Sequence, residues 1–168
     1  MSYENPWFYK GRPFDMSLEE IQEAGHYSFT YIMTSRNTGQ KYIGKKLLIS
    51  KRKLPPLKGK TRKRIVYKDS GWRKYWSSSK VVSAMIDSGD IFDREIIALH
   101  ENKRNANIHE LQLQILYNCL DAEDNNGQRI FLNENINLVY YPVKDRDDRH
   151  RRMKLFEDMM KEANLLLE

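Results

Sequence analysis

The sequence predicts a mixed α/β domain of the α+β kind: a small central antiparallel sheet of three or four strands flanked by helices, with an N-terminal arm and a C-terminal helix. Three observations carry this. Two runs rich in aromatic and β-branched residues, YSFTYIMTS (27–35) and QKYIGKKLLIS (40–50), flank a turn-like RNTG, the signature of an antiparallel hairpin. Beyond them, helical periodicities alternate with short extended runs. The chain has 168 residues, 40 % of them hydrophobic and 31 % charged, enough for one core and too few for a second full domain.

Residues 1–25 read as an arm, irregular around Pro6, Trp7, Phe8 and Pro13 and then helical through SLEEIQEAG. Ser17 and Glu20 have capping-box spacing and Gly25 suits the helix stop. The hairpin follows, with Asn37 and Gly39 expected to supply positive φ angles in its turn. Residues 51–76 contain Pro55, Pro56, Gly59 and Gly71 among many cations, which predicts a mobile loop or a loose small hairpin rather than a core element. SSSKVVSAMIDSG (77–89) predicts a serine-capped helix with Val81, Val82, Met85 and Ile86 on one face. DIFDREIIALH (90–100) predicts a third strand at the sheet centre. Asn105 to Leu120 predicts a helix whose apolar stripe is Ile108, Leu111, Ile115 and Cys119. FLNENINLVYYP (131–142) predicts a short strand or an extended run stopped by Pro142. From 143 to the end, Met153, Phe156, Met160, Ala163 and Leu167 recur at helical spacing; this helix folds back on the domain or pairs with a partner chain, which leaves a homodimer open. The domain itself is thus expected over 26–142.

Charge is the strongest compositional signal. From Lys41 to Lys74 there are fourteen Lys or Arg and one acid, Asp69, a net +13, while the rest of the chain carries 15 basic and 22 acidic residues, a net −7. Such a block suits a polyanion, since each cation set on a phosphate releases condensed counterions. Lys46, Lys51, Lys53, Lys58, Lys60, Arg62, Lys63, Arg64, Lys68, Arg73 and Lys74 are the expected nucleic-acid contacts. Tyr67, Trp72, Tyr75 and Trp76 are interleaved with them and serve either as stacking platforms or as core. No apolar run approaches the roughly 20 residues of a membrane span, and nothing at the N-terminus marks export; a cytoplasmic protein with no membrane partner is expected. Cys119, the single cysteine, excludes an internal disulfide and suits the core.

Several chemistries are excluded by residue content. The chain has no phosphate-cradling glycine loop, no His-Glu-x-x-His and no Gly-x-Ser-x-Gly, and its four histidines are scattered as surface or capping residues. The hairpin offers more. Tyr31 shares a strand face with Phe29 and Met33, and Tyr42 shares one with Gly44 and Lys46, so the two phenols can meet across the hairpin.

With Tyr42-Ile43-Gly44, Lys45, Arg52 eight residues past that glycine, the serine-led helix, the strand, Glu110 in HELQLQI and Asn133 in FLNENI, the chain resembles the GIY-YIG nucleases over residues 27–137, most closely their phage-type, stand-alone, homing-endonuclease-like members. The resemblance implies a GIY-YIG-like fold and a metal-dependent endonuclease that hydrolyses phosphodiester bonds of DNA, double-stranded above all, in the host cytoplasm if phage-encoded. Tyr31 or Tyr42 would be the general base or water-orienting group, with Lys45 lowering the phenol pKa; Arg52 would clamp the phosphate; Glu110 would hold one Mg²⁺, or Mn²⁺ in its place; Asn133 would position the glutamate or tyrosine. The chain departs from the pattern where Gly-Ile-Tyr is Phe29-Thr30-Tyr31, and where Pro55 and Pro56 interrupt the helix on which the family carries its arginine. A restriction-like or DNA-degrading enzyme, a structure-specific repair or junction nuclease, and a non-catalytic nucleic-acid-binding protein on the same fold are the alternatives.

Overall fold

The computed structural model describes residues 5–137, 140–142 and 144–165. Positions 138 and 139 of the expected last strand, the boundary residue 143 and Leu167 of the C-terminal stripe lie outside these. The helices and sheets are mixed as expected, around a mostly antiparallel five-stranded sheet.

The arm is part of that sheet. Strand β1 (Trp7–Tyr9) turns through Lys10 and Gly11, both at positive φ, into β2 (Arg12–Pro13); two such residues make the tight hairpin turn that suits strand twist. Trp7, 1 % exposed, is driven into the main core against Phe29 and Tyr31. Helix α1 (Leu18–Glu23) starts at Ser17 with the expected capping box and buries Ile21.

Strands β3 (Ser28–Ser35) and β4 (Lys41–Leu47) form the predicted hairpin, with Tyr31 opposite Gly44 and Met33 opposite Tyr42. Of the two turn residues only Gly39 takes a positive φ; Asn37 does not. Strand β7 (Phe92–His100) pairs antiparallel with β3 and parallel with β1, in the order β2-β1-β7-β3-β4. It lies at the centre, as its isoleucines predict, and β4 is an edge strand. A bulge at Thr30/Tyr31 leaves Ile97 without a partner on β3, a distortion that recurs beside active sites.

The expected second strand, 40–50, is broken at Leu48. Beyond the break, β5 (Ile49–Leu54) pairs with β6 (Arg64–Asp69) in a separate two-stranded ribbon. Prolines 55 and 56 come just after β5 and the basic segment forms the hairpin of the two sequence-based options, with loop 55–63 at its tip. A 3-10 turn (Trp72–Lys74) then leads to α2 (Lys80–Asp87), capped by Ser79, whose Oγ accepts from the Val82 N–H at 3.4 Å.

Helix α3 (Lys103–Leu116) is present, but its expected stripe is not the packed face. Ile108 and Ile115 are exposed, while Ala106, Leu113 and Gln114 are buried. The inward face carries Ala106, His109, Glu110 and Leu113, spaced three, four and seven apart, and half of it is polar. Among the described residues of 131–142 the extended run is the outcome, with isolated bridges from Lys41 to Phe131 and from Ile136 to Tyr140.

Helix α4 (Arg146–Leu165) is tied back to the domain by ion pairs: Arg149 with Glu123 at 2.7 Å, and the Arg152 Nε donating to buried Asp121 at 2.7 Å. Met153, Phe156, Met160 and Ala163 are half-buried, whereas Leu155 and Met159 are exposed. No described helix is long and apolar enough to cross a membrane. The sheet separates two cores, a large aromatic one around Trp7, Phe29, Tyr31 and Trp72, and a smaller one of Ile43, Leu113, Cys119 and Phe131 under α3. Cys119 is core, and burial pushes its thiol up to about 12, which makes it a poor nucleophile.

Candidate active site

The free edge of β4 shapes the site. Segment 130–132 runs beside Lys41, with the Lys41 N–H donating to the Ile130 carbonyl at 2.8 Å and the Leu132 N–H to the Lys41 carbonyl at 2.7 Å. At Ile43 a side chain takes over from the backbone. The Asn133 Oδ1 accepts from the Ile43 N–H at 3.1 Å and its Nδ2 donates to the Ile43 carbonyl at 2.8 Å. Asn133 is 2 % exposed, and Arg129 Nη2 fixes its carbonyl at 2.6 Å. Past this clasp the edge opens into a cleft of about 640 Å³, lined among others by Tyr42, Lys45, Glu110 and Asn133.

These four come from three elements: Tyr42 and Lys45 from β4, Glu110 from α3 and Asn133 from the segment beside the β4 edge. Tyr42 stands on the face of β4 that carries the aromatic core, and Lys45, opposite Thr30, on the face beneath α3. Glu110, from the inward face of α3, accepts a hydrogen bond from the Lys45 ammonium. Their side chains are 15 % and 35 % exposed, so the pair is reachable from the cleft yet partly desolvated. Asn133 was expected to position Glu110 or a phenol; its amide is spent on Ile43, the residue after Tyr42, so it acts on the strand bearing Tyr42 to Lys45. An Asn133→Ala variant should therefore lose stability, since two buried groups of Ile43 lose their partners at about 1–3 kcal/mol each. Urea unfolding should show a lower midpoint at unchanged slope; an unchanged midpoint would refute the clasp.

The two tyrosines meet as the hairpin predicts, with ring centroids 6.3 Å apart and an interplanar angle of 37°, but they are not equivalent. Tyr31 is 1 % exposed and lies outside the lining of the cleft. Burial first, and then Tyr75 and Tyr42, hold its phenol well above the ordinary tyrosine value. Tyr42 is half-buried at the cleft, and its phenol is raised by burial, with hydrogen bonding to Ser77 acting against this and the Glu110 charge adding to it. The expected lowering by Lys45 is overturned: the ammonium is held by Glu110, and desolvation dominates both phenols. Both are neutral at ordinary pH.

Gly44 has a steric reason. A Cβ there would stand 2.5 Å from the Tyr31 Oη and 2.6 Å from its Cζ, so only glycine lets the Tyr31 ring cross β4.

Arg52 does not join this cleft. It sits mid-ribbon opposite Val66, exposed. By alternation it shares a face with Ser50, which borders a second groove together with Lys45 and Lys103. Among the expected nucleic-acid contacts, Arg73 is engaged internally with Asp15 at 2.7 Å and Asp69 at 2.9 Å, and Lys46 sits over the Tyr75 ring at 4.3 Å. Lys51, Lys53, Lys58, Lys60, Arg62, Lys63, Arg64, Lys68 and Lys74 are exposed. Of the interleaved aromatics, Trp72 is core, Trp76 lies against the Arg94 guanidinium at 4.1 Å, and Tyr67 alone is exposed.

Sequence reasoning missed the loop before α2. Ser77 has φ +123, rare outside glycine, accepts from the Ser79 N–H at 2.9 Å, and acts to lower the phenols of both Tyr31 and Tyr42 against their burial; Ser78 and Lys80 line the cleft. The run of three serines, where one suffices as a cap, was the available signal. His100 and His109 were also underrated. Both contact the buried Thr30 hydroxyl, at 3.2 and 2.7 Å, and burial lowers both imidazoles.

Compared with known proteins, residues 7–136 match the family described as "Putative endonuclease segE, GIY-YIG domain". No curated protein and no solved structure gives a match.

Proposed function

The chain belongs to the GIY-YIG endonuclease family, and from that premise we propose that it is a stand-alone, homing-like enzyme that hydrolyses phosphodiester bonds of DNA with one Mg²⁺. The observation that carries this is the convergence of Tyr42, Lys45 and Glu110 on one open cleft, fixed from below by Asn133.

The donor set suits a hard cation. Glu110 supplies one carboxylate to a cleft that Glu134 also lines, and no group of three or more His, Cys, Asp or Glu among the described residues could form a closed site. Mg²⁺ is bound in this way, through few carboxylates and several waters or phosphate oxygens. Glu110 would hold it, with the Lys45 ammonium now standing where a cation would sit. Bound there, it would supply Lewis-acid stabilisation of the phosphoryl oxygens and of the leaving oxygen.

The protein's own groups do the rest. Tyr42, kept neutral by burial, orients the attacking water by hydrogen bonding. Tyr31 supports it from behind through Ser77 and acts as a positioning residue. Lys45, freed from Glu110, neutralises charge that grows on the phosphate. Arg52 meets a neighbouring phosphate from the ribbon, where a planar guanidinium can bind two oxygens at once.

Supercoiled plasmid tests the proposal. Nicked and linear products should form with Mg²⁺ or Mn²⁺, stop with a chelator and resume when metal is restored in excess. DNA bound but left supercoiled with every divalent metal would leave only the binding protein.

A further inference from the structure

The ribbon β5–β6 packs in no other sheet, and it is the most basic part of the molecule. Residues 51–68 contain nine Lys or Arg and no acid. Its root is fixed: Leu48 and Ile49 are buried in the main core, the Ser70 N–H donates to the Leu48 carbonyl at 3.1 Å, and the Ser70 hydroxyl donates to the Leu47 carbonyl. Beyond the root both faces are open. The register puts Lys51, Lys53, Ile65 and Tyr67 on one face and Arg52, Leu54, Arg64 and Val66 on the other. Ile65 and Tyr67 are 47 % and 43 % exposed. Exposed apolar residues on a strand pair that no described residue covers call for a partner, and the charge says that the partner is a polyanion.

Resting on the endonuclease reading above, we propose that this ribbon lies in the major groove of double-stranded DNA. Two strands about 4.8 Å apart with their side chains match a groove about 12 Å wide and exceed the minor groove of about 6 Å. The face of Arg52 and Arg64 continues from Ser50, which adjoins Lys45. It therefore turns toward the DNA that enters the cleft, with Arg52 on the phosphate assigned to it above and the Arg64 guanidinium on guanine N7 and O6 edges. Lys58, Lys60, Arg62 and Lys63, in and beside the tip loop, grip the flanking phosphates. Single strands are a poorer fit, because tracking them needs a series of aromatic platforms and the ribbon offers Tyr67 alone. The deep, narrow major groove of an RNA duplex does not admit such a ribbon.

Binding is measured with the full-length Glu110→Ala protein on a plasmid-derived duplex. Three further probes are the same duplex carrying bulky substituents at the pyrimidine C5 position in the major groove, the duplex with its minor groove filled by netropsin, and the separated strands. Affinity should fall about tenfold or more with the C5 groups and on the separated strands, and hold with netropsin. Substituting Lys58, Lys60, Arg62 and Lys63 together by alanine, all on exposed positions, should reduce the slope of log K against log salt by about 0.9 for each phosphate left without its cation. Competition by netropsin, equal binding to single strands, or indifference to the C5 groups overturns the proposal. Wild-type cleavage separates it from the parent reading. If plasmid is cut while the C5 groups have no effect, the ribbon assignment fails and the nuclease stands; if groove binding is found with no cutting by wild type, the reverse holds.

Discussion

Glu110→Ala is expected to abolish cleavage while leaving the fold and DNA binding in place. Among the described residues the carboxylate is the acidic group paired with Lys45 in the cleft, and the charge stabilisation it would organise is worth several kcal/mol, so the rate should drop by on the order of 10³. Stability should change little, because the ion pair is partly solvated and such pairs contribute about 1 kcal/mol or less. Plasmid nicking, gel-shift binding and a thermal melt on the same preparation read the three quantities. A Glu110→Ala enzyme that cuts at near wild-type rate would remove Glu110 from the chemistry, whatever the family.

Gly44→Ala is expected to damage both stability and activity. The new methyl falls on the Tyr31 ring, which is walled in by Trp7 at 5.0 Å, Phe29 at 5.9 Å and Tyr75 at 6.2 Å between centroids. Neither the ring nor the β4 backbone can move freely, and overpacking of this kind costs about 1–3 kcal/mol. Whichever gives way, Tyr42 and Lys45 flank the displaced residue, and misplacement by about 1 Å can cost on the order of 10² in rate. Tyr31→Phe in the wild-type background should be far milder in stability, since it keeps the ring. A Gly44→Ala protein with native melting and full activity would show that the ring is not confined as the geometry requires.

The hairpin, the capping box, the central third strand and the order of Tyr42, Lys45, Glu110 and Asn133 were legible because each rests on local pattern or on fixed spacing. The inward face of α3 was not. Periodicity looks for apolar residues, and here the sheet-facing positions are given to His109 and Glu110 while Ile108 and Ile115 face outward; local rules fail where a site displaces them. Asn133 was identified by position but not by action, since its partner lies 90 residues away and no sequence signal says that an amide side chain replaces a strand. The phenols were misjudged on charge, because adjacency to Lys45 in sequence put the ammonium on the opposite face of β4. Trp7 gave too short a signal for a strand that pairs in parallel with one more than 80 residues later.

Strand β4 passes into β5 across a single residue, Leu48, whose backbone and side chain are both locked. The proposed chemistry and the proposed grip are therefore two marks on one rigid ruler. The ribbon's six rungs span about 20 Å, roughly six base pairs at 3.4 Å each, and nothing between the marks can stretch. On the proposed chemistry and the proposed groove contact, such an enzyme would measure where to cut: the scissile bond would be chosen by its distance from the gripped bases, not by the identity of the nucleotides that flank it.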